Sequence, residues 1–209
     1  MIAQLEAILY RYSSMLKKIL RYIIMSFYNA HELSLLGLKQ YGSNILINRS
    51  TQIYGPGNIS IGNNVRIDAF CILSSGDSPF ILEDYIHISA GVYIYGQKGF
   101  HMKSFSNISA GSKIYTQTDD FSGDVLIGPT IPINLRNIYS SPITIEKHVI
   151  IGAGSIMLPG AILGEGVAIG ANSLVKKECK PWSMYIGSPA RFLKERSKQL
   201  LELEHRVLS

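Results

Sequence analysis

Cysteine is scarce: Cys71 and Cys179 are the only two in 209 residues. That is too few for a disulfide scaffold or a four-thiolate zinc site. Trp182 is the one tryptophan, and only 17% of residues are charged against 46% hydrophobic. So much apolar material with so little charge excludes disorder as the main state. No run of 18 uncharged apolar residues occurs, which leaves no clear transmembrane helix. The basic residues form no aromatic-interleaved surface or known motif, so nucleic acid is not an expected partner. The length suits one domain with a small appendage.

Positive charge is unevenly placed. The formal net charge is +5, yet residues 176–198 hold seven basic side chains against Glu178 and Glu195. Residues 1–28 hold Arg11, Lys17, Lys18 and Arg21 against Glu6, so the middle of the chain is acidic. A basic end suits a polyphosphate ligand or an anionic membrane, and equally a solvated helix face.

What is abundant is a period of six. Ile145, Ile151, Met157, Leu163, Ile169 and Val175 recur at that interval. Four positions after each apolar residue comes a small or β-branched one: Val149, Ser155, Ala161, Val167, Ser173. Neither a helix nor a simple alternating strand has this period. Short parallel strands with a corner after each do, stacked as a solenoid of about 18 residues per coil. Both columns then point into a narrow prism, and glycines such as Gly152, Gly164 and Gly170 suit the corners. The same phase runs through Ile61, Ile67 and Leu73, through Leu82, Ile88 and Ile94, and through Met102, Ile108 and Ile114. It slips around residues 74–81 and again between Ile94 and Met102. A long stretch, 119–142, lacks it, and long unpatterned loops in compact domains are commonly functional.

The flanks read as helical. Residues 1–44 form an N-terminal cap whose first 28 residues place Leu5, Ile8, Leu9, Leu16, Ile19, Leu20 and Ile23 at amphipathic spacing. A capping helix and an interfacial helix on anionic lipid both fit that pattern. Without a small-residue cleavage site it does not read as a signal peptide. Residues 45–189 are the solenoid, and 190–209, after Pro189, are expected to form a C-terminal helix.

The hexads from residue 145 and the closing segment Gly187-Ser188-Pro189-Ala190 resemble the left-handed β-helix hexapeptide-repeat acyltransferases over roughly 45–193. The resemblance implies a left-handed parallel β-helix, an all-β solenoid that assembles as a homotrimer with acetyl-CoA in the cleft between prisms. It implies that Ala153 and Ala171 bind the pantetheine arm, and that Gly187, Pro189, Ala190, Lys176, Lys177, Arg191 and Lys194 hold the nucleotide end. Tyr115 through Gly123, with Pro129, Arg136 and Asn137, resemble the bacterial nucleotide-amino-sugar N-acetyltransferases, such as the GDP-perosamine group. That implies a nucleotide-sugar substrate, a role in surface polysaccharide synthesis, and a cytoplasmic enzyme with optional peripheral contact through residues 1–28.

The chain departs from the sugar O-acetyltransferases of the same family at one place. Those carry a catalytic histidine where this chain has Asp119, followed by Asp120. A hydroxyl nucleophile needs a general base, and an ordinary carboxylate, with a pKa near ~4, is a weak one. A free amine needs less help, so the missing histidine points to N-acetylation. Adjacent aspartates on an extended strand face opposite ways, so one of the two reaches the nucleophile. Both also fit a turn rich in Asp, Ser and Gly. Tyr115 and Phe121 are candidates to stack on the substrate, and Arg136 to pair with its phosphate. The alternative is O-acetylation with His87 as general base. Counting 18 residues per coil plus the slip stacks His87 on Asn107. His148 occupies an outward position and is expected to be solvated, and Trp182 reads as a packing residue. Direct attack on the thioester requires neither a nucleophilic cysteine nor a metal. A zinc hydratase on such a prism would need three converging imidazoles, and only His87 and His101 fall in suitable coils. A non-enzymatic scaffold leaves the Gly187–Ala190 segment and the long loop without purpose.

Overall fold

The computed structural model describes residues 25–208. Most of them wind into a parallel β-solenoid with sheets of six, eight and six strands on its three faces. The first sheet runs from Gln40–Tyr41 through Ile59–Ile61, Phe80–Leu82, Phe100–Met102 and Ile143–Ile145 to Ile162–Leu163. The second includes Arg66–Ile67, His87–Ile88, Asn107–Ile108, Ile150–Ile151 and Ala168–Ile169, and the third includes Ile72–Ser75, Tyr93–Gly96, Lys113–Tyr115 and Ile156–Met157. The solenoid thus begins at Gln40, five residues before the expected boundary. Ahead of it, helix Ala30–Ser34 is closed by a reciprocal cap between Asn29 and Glu32. Of the amphipathic helix expected over residues 1–28, residues 1–24 lie outside the described residues; Ser26–Tyr28 are not helical, and Phe27 forms an antiparallel bridge with Asn48.

Both inward columns are buried as the repeat requires. Ile67, Ile88, Ile108 and Ile151 have no exposed surface, and neither do Leu73, Ile94, Ile114 and Met157. Burial of each contributes on the order of 1.5–3 kcal/mol. The small column at the second corner contains Cys71, Val92, Ser112, Ser155 and Ser173. Its hydroxyls are satisfied by carbonyls: Ser112 Oγ donates to Gly152 at 3.2 Å, and Ser155 and Ser173 to Gly170 at 3.0 and 2.7 Å. Burying these small polar groups therefore leaves no unmade bond.

The phase slips stack on one edge. Met102 pairs with Leu82, twenty residues back, whereas Leu163 pairs with Ile145, eighteen back. The added residues all fall between the third and first sheets, where Phe80 and Phe100 pack with ring centroids 5.0 Å apart. Gly96 lies against them; a Cβ there would stand 2.8 Å from the Phe80 ring. The long excursion leaves from this same edge. Its neck is an antiparallel ribbon, Gln117–Asp119 against Ile138–Ser140, so both ends of the expected loop are ordered strand.

The C-terminal segment departs from expectation. Residues 191–195 are not helix: Arg191–Glu195 is a strand, antiparallel to Ser183–Ile186, and helix begins only at Leu200–Leu208. The free edge of the second sheet offers N–H and C=O groups that this segment satisfies, which outweighs its helical propensity. After it, Arg196 donates to the carbonyls of His148 at 2.7 Å and Gly166 at 2.9 Å. Glu204 then receives Lys147 and His148, at 2.7 and 3.0 Å. His148 is therefore buried and not solvated. Its ring also stacks on Phe105, 5.5 Å away.

Candidate functional site

Three groups of expected site residues are placed by the solenoid. The first is on the outer face of the second sheet. In each strand the isoleucine points inward, so its neighbour points out: Arg66, His87 and Asn107 form one outward row, in register as the sequence count required. Asp68 links the row. His87 Nε2 lies 2.8 Å from Asp68 Oδ2, and Arg66 Nε donates to Oδ1 at 2.7 Å. Partial burial pushes the Asp68 carboxyl up, but the hydrogen bonds from His87 and Arg66 outweigh it and hold it below the usual carboxylate range. His87 keeps 41% of its side chain exposed. Sequence reasoning missed Asp68. It is nineteen residues from His87 and becomes its partner only through the coil register.

The second group lies on the excursion. Tyr115, at its base, is half-buried and stacks on Tyr95 at 5.4 Å with rings 7° from parallel. Burial, and then the neighbouring tyrosines Tyr95 and Tyr93, push its hydroxyl pKa up. Asp119 ends the first ribbon strand, opposite Ile138, and its carboxylate has no partner among the described residues. Asp120 is committed differently. It accepts the Ser122 N–H at 2.7 Å and the Asn137 Nδ2–H at 3.2 Å, and those bonds hold its carboxyl below the ordinary value. Phe121 is 91% exposed at the tip of the turn. Arg136 donates from one terminal nitrogen to Gly128 O at 3.1 Å, while its Nε is buried with no partner.

The third group occupies the C-terminal coils. Ala153 and Ala171 sit on the second corner, one above the other, tied by Asn172 N–H to Ala153 O at 2.8 Å. The corner admits no side chain at Gly152, whose Cβ would stand 2.5 Å from Ala171 N. The column continues to Gly187, whose carbonyl accepts Leu174 N–H at 3.0 Å, and Ala190 N–H returns to Leu174 O at 2.8 Å. Beside it, Lys176, Lys177, Pro189, Ala190 and Arg191 line a cavity of about 370 Å³ with Tyr185 and Phe192. The residues expected to hold one extended ligand thus form one continuous track. Cys71 and Cys179 are buried, and burial raises both thiols, that of Cys179 to about 11. Neither supplies a thiolate nucleophile at neutral pH.

The first and second groups are separated within one chain. His87 and Asn107 belong to the second sheet, whereas the excursion leaves from the far edge of the third.

Comparison with known proteins gives consistent findings. Residues 142–177 match the bacterial transferase hexapeptide (six repeats) and 58–95 the hexapeptide repeat of succinyl-transferase. An Escherichia coli dTDP-4-amino-4,6-dideoxy-D-glucose acyltransferase is 44% identical over 180 residues, 86% of this chain and 94% of that one. The crystal structure of AntD, an N-acyltransferase from Bacillus cereus, in complex with dTDP and 3-hydroxybutyryl-CoA, is 47% identical with a TM-score of 0.84. It covers 88% of this chain and 96% of that chain. Variants of AntD at a serine and at an aspartate ten positions further on have also been solved, with dTDP or the dTDP-amino-sugar and coenzyme A. A putative lipopolysaccharide biosynthesis O-acetyl transferase, WbbJ of Escherichia coli K12, is more distant, at 29% identity over 68% of this chain and 74% of that one.

Proposed function

The chain belongs to the hexapeptide-repeat transferase family, and on that premise we propose that it moves an acyl group from CoA to the amine of a dTDP-linked 4-amino-4,6-dideoxy sugar. The observation that carries this reading is the near-full-length likeness to an N-acyltransferase solved with a dTDP-amino-sugar and coenzyme A. The nucleotide favoured is therefore dTDP, in place of the GDP of the perosamine group. Acetyl-CoA remains the proposed donor, and CoA and nucleotide sugar together imply cytoplasmic work.

Asp119 is the proposed orienting carboxylate. The chain contains two serine–aspartate pairs at the AntD spacing, Ser74 with Asp84 and Ser109 with Asp119. Asp84 is committed to the Asn63 backbone N–H at 2.6 Å, and Ser74 is buried under Gln97. Ser109 and Asp119 are both half-exposed, and only the second pair is free to meet a substrate. Asp120 shapes the turn that presents Asp119. Ala153, Ala171 and Gly187 carry the pantetheine arm, and Lys176, Lys177, Pro189, Ala190 and Arg191 hold the nucleotide of CoA. Tyr115, Phe121 and Arg136 face the sugar nucleotide from the excursion.

In the reaction, the neutral amine attacks the thioester carbon. The new C–N bond forms as a backbone N–H steadies the oxyanion, then the C–S bond breaks. The amine's surplus proton leaves through Asp119 or water and ends on the departing thiolate. Because Ser109 and His87 lie on a different edge from Asp119, the complete site draws on two copies of the chain, as in a trimer.

Thiol release from acetyl-CoA tests the reading, using dTDP-4-amino-4,6-dideoxyglucose beside its 4-hydroxyl counterpart. The expected result is turnover with the amine alone, lowered about a hundredfold in Asp119→Asn. Turnover with the hydroxyl sugar that disappears in His87→Ala would overturn it in favour of O-acylation.

A further inference from the structure

The N-terminal end of the solenoid is closed less well than its interior. Residues 28–39, with helix Ala30–Ser34 among them, cross the open end of the prism. Tyr28 N–H donates to Ile47 O on the second sheet at 2.9 Å, and Lys39 N–H is shared by Pro56 O at 3.1 Å and Ile59 O at 3.0 Å, at the edge of the first. Leu33 joins the core. The crossing leaves one side open. Tyr41 stands in register with the buried Ile61, in the inward column, yet is 40% exposed. A cavity of about 270 Å³ opens beside it, lined also by Tyr28, Leu33 and Leu46. On the outer side of the crossing Leu35 is 71% exposed, and Met25 is 62% exposed. A terminal coil needs a polar outer face to stay solvated, and this one presents leucine, methionine and tyrosine.

Charge at this end favours an anionic partner. From Met25 to Ile67 the sequence holds one carboxylate side chain, Glu32, against Lys39, Arg49 and Arg66. Arg49 occupies that carboxylate with both terminal nitrogens, each at 2.6 Å, and Lys39 is exposed. The same Arg49 donates its Nε–H to Met25 O at 2.8 Å, which fixes where the chain enters this end. Residues 1–24 precede that point and lie outside the described residues. Their sequence sets Arg11, Lys17, Lys18 and Arg21 against Glu6, opposite the apolar stripe of helical spacing. As a helix, 24 residues extend about 36 Å. A prism side of six residues measures no more than about 20 Å. The end of one prism is therefore too small to bury that stripe. A bilayer interface is large enough, and an anionic one attracts the basic side chains.

We propose that the N-terminal end of the solenoid docks on an anionic membrane, with residues 1–24 lying in the interface and Leu35 and Met25 inserting beside them. The proposal stands apart from the transferase reading and adds the surface on which the protein works. On the second sheet, five strand spacings, about 24 Å, separate Leu46–Ile47 at the docked end from Ala168–Ile169 beside the C-terminal track. Docking thus leaves that track open to solvent.

Flotation of the full chain with vesicles tests it, using phosphatidylglycerol mixed with phosphatidylethanolamine beside phosphatidylcholine alone. The expected result is partition onto the anionic vesicles, weakening as salt is raised. Lys17→Gln combined with Lys18→Gln should lower the partition coefficient about tenfold, and Leu35→Gln about fivefold. The Leu35 side chain is exposed, so Leu35→Gln should keep the parent's Tm. Partition onto neither vesicle, or equally onto both, would overturn the proposal. Loss in the lysine variant with none in Leu35→Gln would overturn the docking of the end face. Absence of flotation together with association of the free protein that Leu35→Gln abolishes would assign the end face to a second copy instead.

Discussion

Gly166 and Trp182 show how much one position can decide. Gly166 sits at φ +67°, and a Cβ there would stand 2.4 Å from the Trp182 ring. Trp182 fills the space that the missing side chain leaves, beside His148 at 6.1 Å. Gly166→Ala is therefore expected to cost roughly 2 kcal/mol or more, from backbone strain plus overlap, a fall in Tm on the order of 5 °C. Gly111→Ala is the control. Its φ is +72° but nothing lies within 4 Å of the added Cβ, so it should lose only the strain. Equal losses in thermal unfolding would show that Trp182 does not fill that space. The packing role of Trp182 was legible from its place after a proline at the end of the repeat. The burial of His148 was not, because the groups that cover it are more than thirty residues away in sequence.

At the scale of elements, Glu204 ties the C-terminal helix to the solenoid through Lys147 and His148. Glu204 has its pKa lowered chiefly by the Lys147 hydrogen bond, against a smaller upward push from burial, with His148 adding to the fall. A carboxyl lowered on folding contributes stability above its ordinary value, near 4.5, and loses it as pH falls through the folded value. Cleavage of the C-terminal segment by an acid protease should thus rise as pH is taken below about 4.5. Glu204→Gln should show faster cleavage at pH 7 and a flatter response to acid. An identical pH response in both proteins would remove Glu204 from the account. The helix itself was legible from residues 190–209, but its start was not. Arg191–Glu195 has a sequence compatible with helix, and only the free edge of Ser183–Ile186 makes it strand.

At the scale of the whole molecule, the separation of Asp119 from Ser109 becomes a question of assembly. If the site is shared between copies, then Ser109→Ala and Asp119→Asn homomers are each impaired. Mixing the two chains by denaturation and refolding should restore some sites in which one face is intact on each side. Activity above the mean of the two parents is expected, with a particle mass near three times 23.1 kDa in sedimentation. A monomer, or a mixture no more active than the mean, would place the site within one chain.

The sequence by itself determined the solenoid, because a period of six leaves apolar and small residues facing inward only when strands stack in coils. It also led, through the family resemblance of the closing Gly187–Ala190 segment, to Ala153, Ala171 and Gly187 as the expected CoA-binding residues. The departure of the long excursion could be read from the lost period. Tertiary structure alone decided which polar groups meet. Asp68 reaches His87 through a nineteen-residue register that includes a slip, Glu204 reaches His148 from the chain's far end, and Asp120 is turned aside by Asn137 across the excursion. Periodicity specifies which way a side chain points. Partnership between outward groups depends on register and on the returning chain, which no local pattern encodes.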